Sequence, residues 1–467
     1  MGTLTALLNL SQNALEANQA AIDTTSNNVA NANTPGYTDQ VATWQENDTV
    51  LLSGGNRSAL GASVSSVSQR DPVLNQRVQQ QTQLVSASSA ESSALTDLQS
   101  IFGITSSSSS AVSTTIGADM NTFFSSLNAL EATPSGTSVR QGVLSAATTL
   151  AWDFNTAASQ IAAQTGALNQ QVTGTVSQIN ALTASIAKLN LQIQSTSPTA
   201  DAGTLEDQRQ QDLTQLSQYI GFDQTKTENN GLTLTTANGA LLVSEGQSYA
   251  LGTGIVNGNI NVISAAGQDI TQMLSGGSLG GVLRARDQNL PQASSALDTL
   301  AYAVGSAVNT QNSAGVDPTG NPGGAIFNLP ATAPGAASTI SMAIVDPNTI
   351  AAAGVGEGAT DGTNAAALSG LATAGIVSGL TATNFYASFL TSLGSSVSRV
   401  SQANTTQQAS LKQLTTQQSS QSSVSLDQEA ANLTQYERSY DAAAKIFTIV
   451  DQLMASALNL GVETTVT

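Results

Sequence analysis

The sequence predicts a mainly α protein with a β insertion: a long antiparallel helical-bundle rod built from N- and C-terminal segments, coiled-coil helices at both termini, and a small central β domain. Three observations predict it. Apolar residues from Leu144 to Ile193 recur at alternating spacings of four and three without a slip, the signature of a heptad seam. Both chain ends carry stretches of the same periodicity. After Gly221 the texture changes to "GLTLTTANGALLVSEGQSYAL", in which Leu and Thr alternate and Gly recurs, the pattern of short strands and hairpins.

In chain order, Leu8, Leu15, Ile22 and Val29 recur every seven residues and draw one narrow apolar stripe, with Ser11, Asn18 and Thr25 on a polar flank. Thr34-Pro35-Gly36-Tyr37 then fits a type II turn, with Pro fixing φ at its second position and Gly supplying a positive φ at its third. Residues 41–70 read as loop or short strands. Pro72 opens a second helix through Leu74, Val78, Val85, Leu95, Leu98 and Phe102, and "TSSSSSA" at 105–111 reads as a linker. A short helix around Phe123, Phe124, Leu127 and Leu130 ends at Pro134. The seam from 144 to 193 makes a rod of roughly 75 Å, and a helix through Leu205, Leu213, Leu216 and Ile220 packs back on it.

Beyond the β region, with its Asn238-Gly239 hairpin signal, helical spacing returns from Leu279 to Val304, where Pro291 must kink the helix or mark its true start. Residues 315–362 hold one convincing strand, "TISMAIV". From Asn384 the chain is helical again, and Ser425-Leu426-Asp427-Gln428 reads as a capping box that starts a final helix. That helix carries Leu426, Leu433, Tyr440, Phe447 and Met454 at one core position and Tyr436, Ala443, Val450 and Ala457 at the other. The predicted division is a terminal coiled-coil unit (1–45 with 422–467), a helical rod (46–220 with 279–316 and 363–421) and an outer β-rich unit (221–278 with 317–362). The two terminal helices are too thin as a pair to offset backbone ordering of about 1–2 kcal/mol per residue, so they are expected to fold only against neighbouring copies.

Composition excludes several functions. With 467 residues the chain is too long for one core and implies about three domains. Charged residues are 9% and aromatics 4%, so helix contacts must be small-residue contacts. A net charge of -18, with no Lys/Arg cluster, argues against nucleic acid. Neither Cys nor His occurs, which removes disulfides, thiolates, imidazole bases and most transition-metal sites; no enzyme activity and no cofactor are expected. No apolar run reaches the length of a spanning helix, and no cleavable signal is expected. "DPTGNPGG" at 317–324 lacks the Gly and closing Glu of a calcium loop and reads as a turn. Gly276-Gly277-Ser278-Leu279-Gly280-Gly281 lacks the Lys of a phosphate cradle and reads as a flexible joint. Arg284, Arg286 and Asp287 are expected to pair on a helix surface.

The string "LSQNALEANQAAIDTTSNNVANANTPGYTDQ" resembles the N-terminal signature of the bacterial flagellar rod, hook and hook-associated proteins, the axial proteins of the flagellum. Position 39 is Asp where many members carry Arg. Residues 276–328, "NFYASFLTSLGSSV" and "SVSLDQEAANLTQYERSYDAAAKIFTIVDQLMASALNL" resemble the hook-associated branch, while residues 329–362 look short where longer members insert an outer domain. The resemblance implies a structural subunit joining hook to filament, secreted to the cell exterior by the flagellar type III apparatus. The implied partners are further copies in a ring of about eleven, the hook protein, a second junction protein and an export chaperone. Near alternatives are a hook, rod or second junction protein; from another class, a secreted adhesin or hydrolase on a coiled-coil stalk. The expected assembly interface is Leu8, Leu15, Ile22, Val29, Leu426, Leu433, Tyr436, Tyr440, Phe447, Val450 and Met454. Asn28, Asn31 and Asn33 are expected to hydrogen-bond backbone where the signature turn, Thr34 to Tyr37, leads the chain outward.

Overall fold

The computed structural model describes residues 2–47, 49–51, 57–59, 61–103, 115–197 and 201–463. The linker expected at 105–111 lies outside them. The chain runs out from one end and returns to it. Helix α1 (Gly2–Asn31) is followed by four strands, β1 (Gln40–Glu46), β2 (Thr49–Leu51), β3 (Arg57–Ala59) and β4 (Ala62–Ser68). Strands β1 and β4 form an antiparallel ribbon from Gln40↔Ser68 to Glu46↔Ala62, the strand alternative of the two expected for residues 41–70. Helix α2 (Pro72–Ile101) begins at the N-cap Asp71, whose carboxylate accepts from the N–H groups of Val73 and Leu74 at 2.9 and 3.0 Å. Pro72 occupies the first turn, where no intrahelical donor is needed.

Helices α3 (Thr115–Ala132), α4 (Thr137–Thr196) and α5 (Thr204–Tyr219) build the rod. The 60 residues of α4 give a rod of about 90 Å, longer than the seam alone. Its seam is covered within the chain, with Leu144, Phe154, Ile161, Val172, Ile179, Ile186 and Ile193 all buried. Three asparagines on α4 join strands to the rod. Asn190 Nδ2 donates to the carbonyls of Leu232 and Glu245, Asn180 exchanges two hydrogen bonds with the backbone of Leu251, and Asn169 accepts from the N–H of Ile260. Each amide satisfies backbone groups that would otherwise be buried unpaired.

Those strands form an antiparallel sheet, β5 (Asp223–Lys226), β6 (Leu232–Thr235), β7 (Leu241–Ser244) and β8 (Gln247–Ser248), and a hairpin, β9 (Gly252–Val256) with β10 (Asn259–Ile263). The tight Asn-Gly turn is Asn257-Gly258, with φ of 51° and 82°, between β9 and β10. Asn238-Gly239 lies instead in a longer loop where only Gly239 has a positive φ.

Helix α6 (Gly277–Arg284) passes through a π-helical turn at Ala285–Asn289 into α7 (Leu290–Ser313). Pro291 explains the widened turn, because it removes the donor that the preceding turn would use. The glycine motif is a close crossing and not a flexible joint. Gly276 and Gly221 meet backbone to backbone, and a Cβ on Gly281 would fall 2.1 Å from the Ala87 carbonyl oxygen. Arg286 corrects another expectation. It is 1% exposed, paired with Asp287, and donates to Ile260 O and Asn169 Oδ1, so it ties the hairpin to the rod from the core. Arg284 pairs with Glu91 on α2.

After the turn at Asp317, whose carboxylate accepts from Thr319 and Asn321 N–H groups, β11 (Phe327–Asn328) pairs with β12 (Ser341–Met342) around the short α8 (Ala336–Thr339). Only these two residues of "TISMAIV" pair as strand. This segment docks on α4 near Asn155, which donates to Ala337 and Ile340 carbonyls, and near Arg140, which donates to Ile350 O. The 221–278 segment docks near residues 169–190 of the same helix. The expected union of 221–278 with 317–362 is therefore replaced by two separate decorations on the rod. Helices α9 (Thr363–Gly370), α10 (Ala382–Ser422) and α11 (Leu426–Glu463) complete the chain, with α10 packed along α2 and α11 returned to α1.

Candidate assembly interface at the chain ends

Helices α1 and α11 pack along one another, and α11 has no other extensive helical partner among the described residues. The stripe of α1 that turns inward is Ser11, Asn18, Ala21, Thr25 and Asn28, all buried, and not the expected Leu8, Leu15, Ile22 and Val29. The physical reason is size. Small residues let α11 approach, and two of their donors are spent on their own helix: Ser11 Oγ donates to Leu7 and Leu8 carbonyls, and Asn18 Nδ2 donates to Ala14 O at 2.7 Å. Leu8, Leu15 and Ile22 sit half-buried on the flank, and Val29 is 44% exposed. On α11 the expected seam does face α1. Ala443 and Val450 are buried, while Leu433, Tyr436, Tyr440, Phe447 and Met454 are half-buried; Leu426 is exposed. Tyr436 lies 6.3 Å from the ring of Trp44 on β1. Ile446, Ile449 and Leu453 of α11 are each more than half exposed.

Where α1 ends, Asn28 holds the turn. Its Nδ2 donates to Gln40 O at 2.7 Å, and its Oδ1 accepts from Gln40 N at 3.1 Å and Tyr37 Oη at 2.9 Å. Asn31 Nδ2 donates to Asn27 O, and its Oδ1 accepts from Thr34 Oγ1. Asn33 is exposed, and its side chain makes no hydrogen bond among the described residues. Gly36 has a φ of 79°, and Tyr37 N donates to Thr34 O at 3.2 Å, the type II turn expected. Gln211 of α5 donates to Pro35 O at 2.6 Å, which docks the turn on the rod.

Beneath the turn lies an ion cluster that sequence reasoning missed. Arg70 pairs with Asp201, Glu206 and Asp207 and also donates to Gly203 O. Asp207 in turn accepts from Thr38 N and Thr38 Oγ1. Burial opposes charge on Asp201, but the N–H groups of Ser68 and Gly203, with Arg70, hold its pKa below the usual carboxylate range. Burial, with Asp207, Asp39 and Glu429, pushes the Tyr37 hydroxyl up to about 12. Burial and then Glu429 push Asp39 up to about 6. The Asp39 N–H donates to Ser422 O, so this residue also ends α10. A polar cleft of about 490 Å³ opens between the turn, α2, α5 and the end of α10, lined by Gln210, Gln211, Gln418 and Ser422. The arrangement is a clamp that fixes the terminal pair to the rod.

Helices from both chain ends, joined over a signature turn and clamped to a rod, define an axial structural protein of the flagellum. Residues 8–38 match the family of flagella basal body rod proteins, and residues 416–460 match the C-terminal part of the flagellar basal body rod FlgEFG proteins. Residues 95–327 match the helical domain of flagellar hook-associated protein FlgK. The chain belongs to the FlgK family of flagellar hook-associated proteins. It is 30% identical to flagellar hook-associated protein 1 of Escherichia coli over 70% of this chain and 60% of that protein's length. The protein of the same name from Salmonella typhimurium is 27% identical, over 98% of this chain and 100% of its own length. A solved structure, the flagellar hook junction protein FlgK from Burkholderia pseudomallei, shares the fold with a TM-score of 0.67 at 20% identity, covering 75% of this chain and 100% of that one. No helix among the described residues is long and apolar enough to cross a membrane.

Proposed function

We propose that this chain is a non-enzymatic structural subunit that joins hook to filament outside the cell, and that its terminal helices complete their packing on assembly into the axial tube. The observation that carries this reading is the partial cover of α1 and α11: they bury a small-residue seam against each other and leave apolar flanks on both helices in solvent. A protein whose ends are half-covered gains the rest of its burial from neighbours, which couples ordering to association. The partners of this reading are further copies in a ring of about eleven, the hook protein on one side and the second junction protein on the other, with an export chaperone covering the exposed flanks beforehand.

The test is genetic. Cells of the source bacterium lacking this chain should build hooks without filaments, and the full chain should restore filaments, whereas a chain lacking residues 2–31 and 426–463 should not. Filaments attached normally in the deletion strain would overturn the reading.

A further inference from the structure

The β-rich segment that decorates α4 holds three Asn-Gly pairs, Asn230-Gly231, Asn238-Gly239 and Asn257-Gly258. In such a pair the asparagine amide and the next backbone nitrogen meet with the least steric obstruction, because glycine carries no Cβ beside that nitrogen. The fold treats the three differently. Asn230 Nδ2 donates to Ser197 O at 3.0 Å, its backbone carbonyl accepts from Arg209, and the Gly231 N–H donates to Glu228 O at 3.1 Å. Asn238 Oδ1 accepts from Thr236 Oγ1, its Nδ2 donates to Met273 Sδ at 3.0 Å, and the Gly239 N–H donates to Thr236 O at 2.8 Å. In both pairs the electrophile and the nucleophile are tied down.

Asn257 and Gly258 are exposed at the tip of the β9–β10 hairpin. Neither the Asn257 amide nor the Gly258 N–H makes a hydrogen bond among the described residues. Beyond its chain neighbours, nothing lies within 4 Å of where a Cβ on Gly258 would stand. The turn is closed only by the Val256↔Asn259 pairing, and Asn257 sits at a φ of 51°, a conformation that asparagine tolerates and does not prefer. Rotating the Asn257–Gly258 peptide out of the turn therefore opens the hairpin tip and nothing else.

We infer that Asn257 is a site of spontaneous covalent modification, losing its side-chain amide by ring closure onto Gly258, and that folding protects Asn230 and Asn238 from the same reaction. Base removes the Gly258 amide proton, and the nitrogen attacks Asn257 Cγ. The new N–C bond closes a cyclic imide as the Cγ–Nδ2 bond breaks, and the side-chain nitrogen leaves as ammonia with a proton from water. A second water opens the ring at either carbonyl, leaving an aspartyl or a β-linked isoaspartyl residue at position 257. Water is the one co-reactant, and nothing is oxidised or reduced.

Either product adds a negative charge to a chain that already carries -18. The isoaspartyl link also places an extra carbon in the main chain between Val256 and Asn259, for which a two-residue turn has no slack. The residue after Asn259 is Ile260, whose N–H donates to Asn169 Oδ1 and whose carbonyl accepts from Arg286. The modification thus weakens the tie between hairpin and rod.

The test uses the purified full chain, incubated in mildly alkaline buffer with and without urea, then digested and sequenced by mass spectrometry. Each asparagine's rate in the folded chain is divided by its own rate in urea. Asn257 should keep at least about a tenth of its urea rate, and the ratios for Asn230 and Asn238 should lie at least about tenfold lower than that of Asn257. Enzymatic methylation of isoaspartyl groups should label the incubated folded chain, and Asn257→Gln, whose longer side chain closes the ring far more slowly, should abolish the early label. As the product accumulates, amide exchange over residues 252–263 should quicken while exchange at the buried seam of α4 stays unchanged. An Asn257 ratio below a tenth, Asn230 or Asn238 keeping pace with it, or an early label that survives Asn257→Gln would overturn the site. Unchanged exchange in the hairpin would overturn its effect on the tie.

Discussion

The side chain of Asn28 pairs with the backbone of Gln40 as one strand pairs with another, donating to its carbonyl at 2.7 Å and accepting from its N–H at 3.1 Å. It is 1% exposed, so no solvent replaces these bonds if the amide is lost. Replacing Asn28 with Ala should destabilise the turn by about 2–3 kcal/mol. Amide exchange over residues 32–40 should then quicken at least about thirtyfold, while exchange within α4 stays unchanged.

Arg70 neutralises three carboxylates in a site where its own side chain is only 12% exposed. Arg70→Met leaves Asp201, Glu206 and Asp207 facing one another without a cation, at a cost of about 3–5 kcal/mol. Thermal unfolding should fall by several degrees. Adding Asp207→Asn to that variant should recover part of the loss, because one of the stranded charges is gone.

The Asp39 carboxyl titrates at about 6 against an ordinary 3.8, raised by burial and by Glu429. Tyr37 also feels the Asp39 charge, and with its hydroxyl pushed up to about 12 it stays neutral across this range. A raised folded pKa gives stability that is complete below about pH 4 and lost as pH climbs through about 6. The joint between the turn and α11 should therefore loosen between pH 5 and 7. Asp39→Asn should remove that dependence and firm the joint by about 1 kcal/mol at neutral pH, after solvent screening of a half-exposed group. Trp44, beside Tyr436, reports the change by fluorescence once Trp152 is replaced by Phe.

A second acid pair sits in the rod. Burial, then a hydrogen bond and charge from Asp119, push Asp153 up to about 7. By the same sign, stability falls as pH rises through 7. Melting temperature should decline between pH 6 and 8, by an amount equivalent to about 1.4 kcal/mol, and Asp153→Asn should flatten the decline.

The long helices were legible because their evidence is local. The four-and-three spacing from Leu144 to Ile193 describes one face of one helix, and that face is buried. The signature turn was legible for the same reason, since Pro35 and Gly36 state their own dihedral preferences. The inward face of α1 was not. Hydropathy assigns the seam to the largest apolar residues, whereas close helix approach selected Ser11, Asn18 and Ala21 and left the leucines on the flank. The Arg70 cluster was invisible because its partners lie more than a hundred and thirty residues away in sequence. Arg286 was misplaced because a guanidinium beside an aspartate looks like a surface pair until the carbonyl of Ile260 and the amide of Asn169 are brought over it.

The return of α11 to α1 makes the earliest helix to be synthesised wait for the latest. Nothing made in between offers α1 a helix of comparable length to lie along among the described residues. Joining the two ends of so long a polymer costs about 5 kcal/mol in loop entropy alone, before any contact is gained. A chain without α11 leaves α1 covered only by the β1–β4 ribbon, so the helical cover of α1 arrives last and from the far side of the sequence.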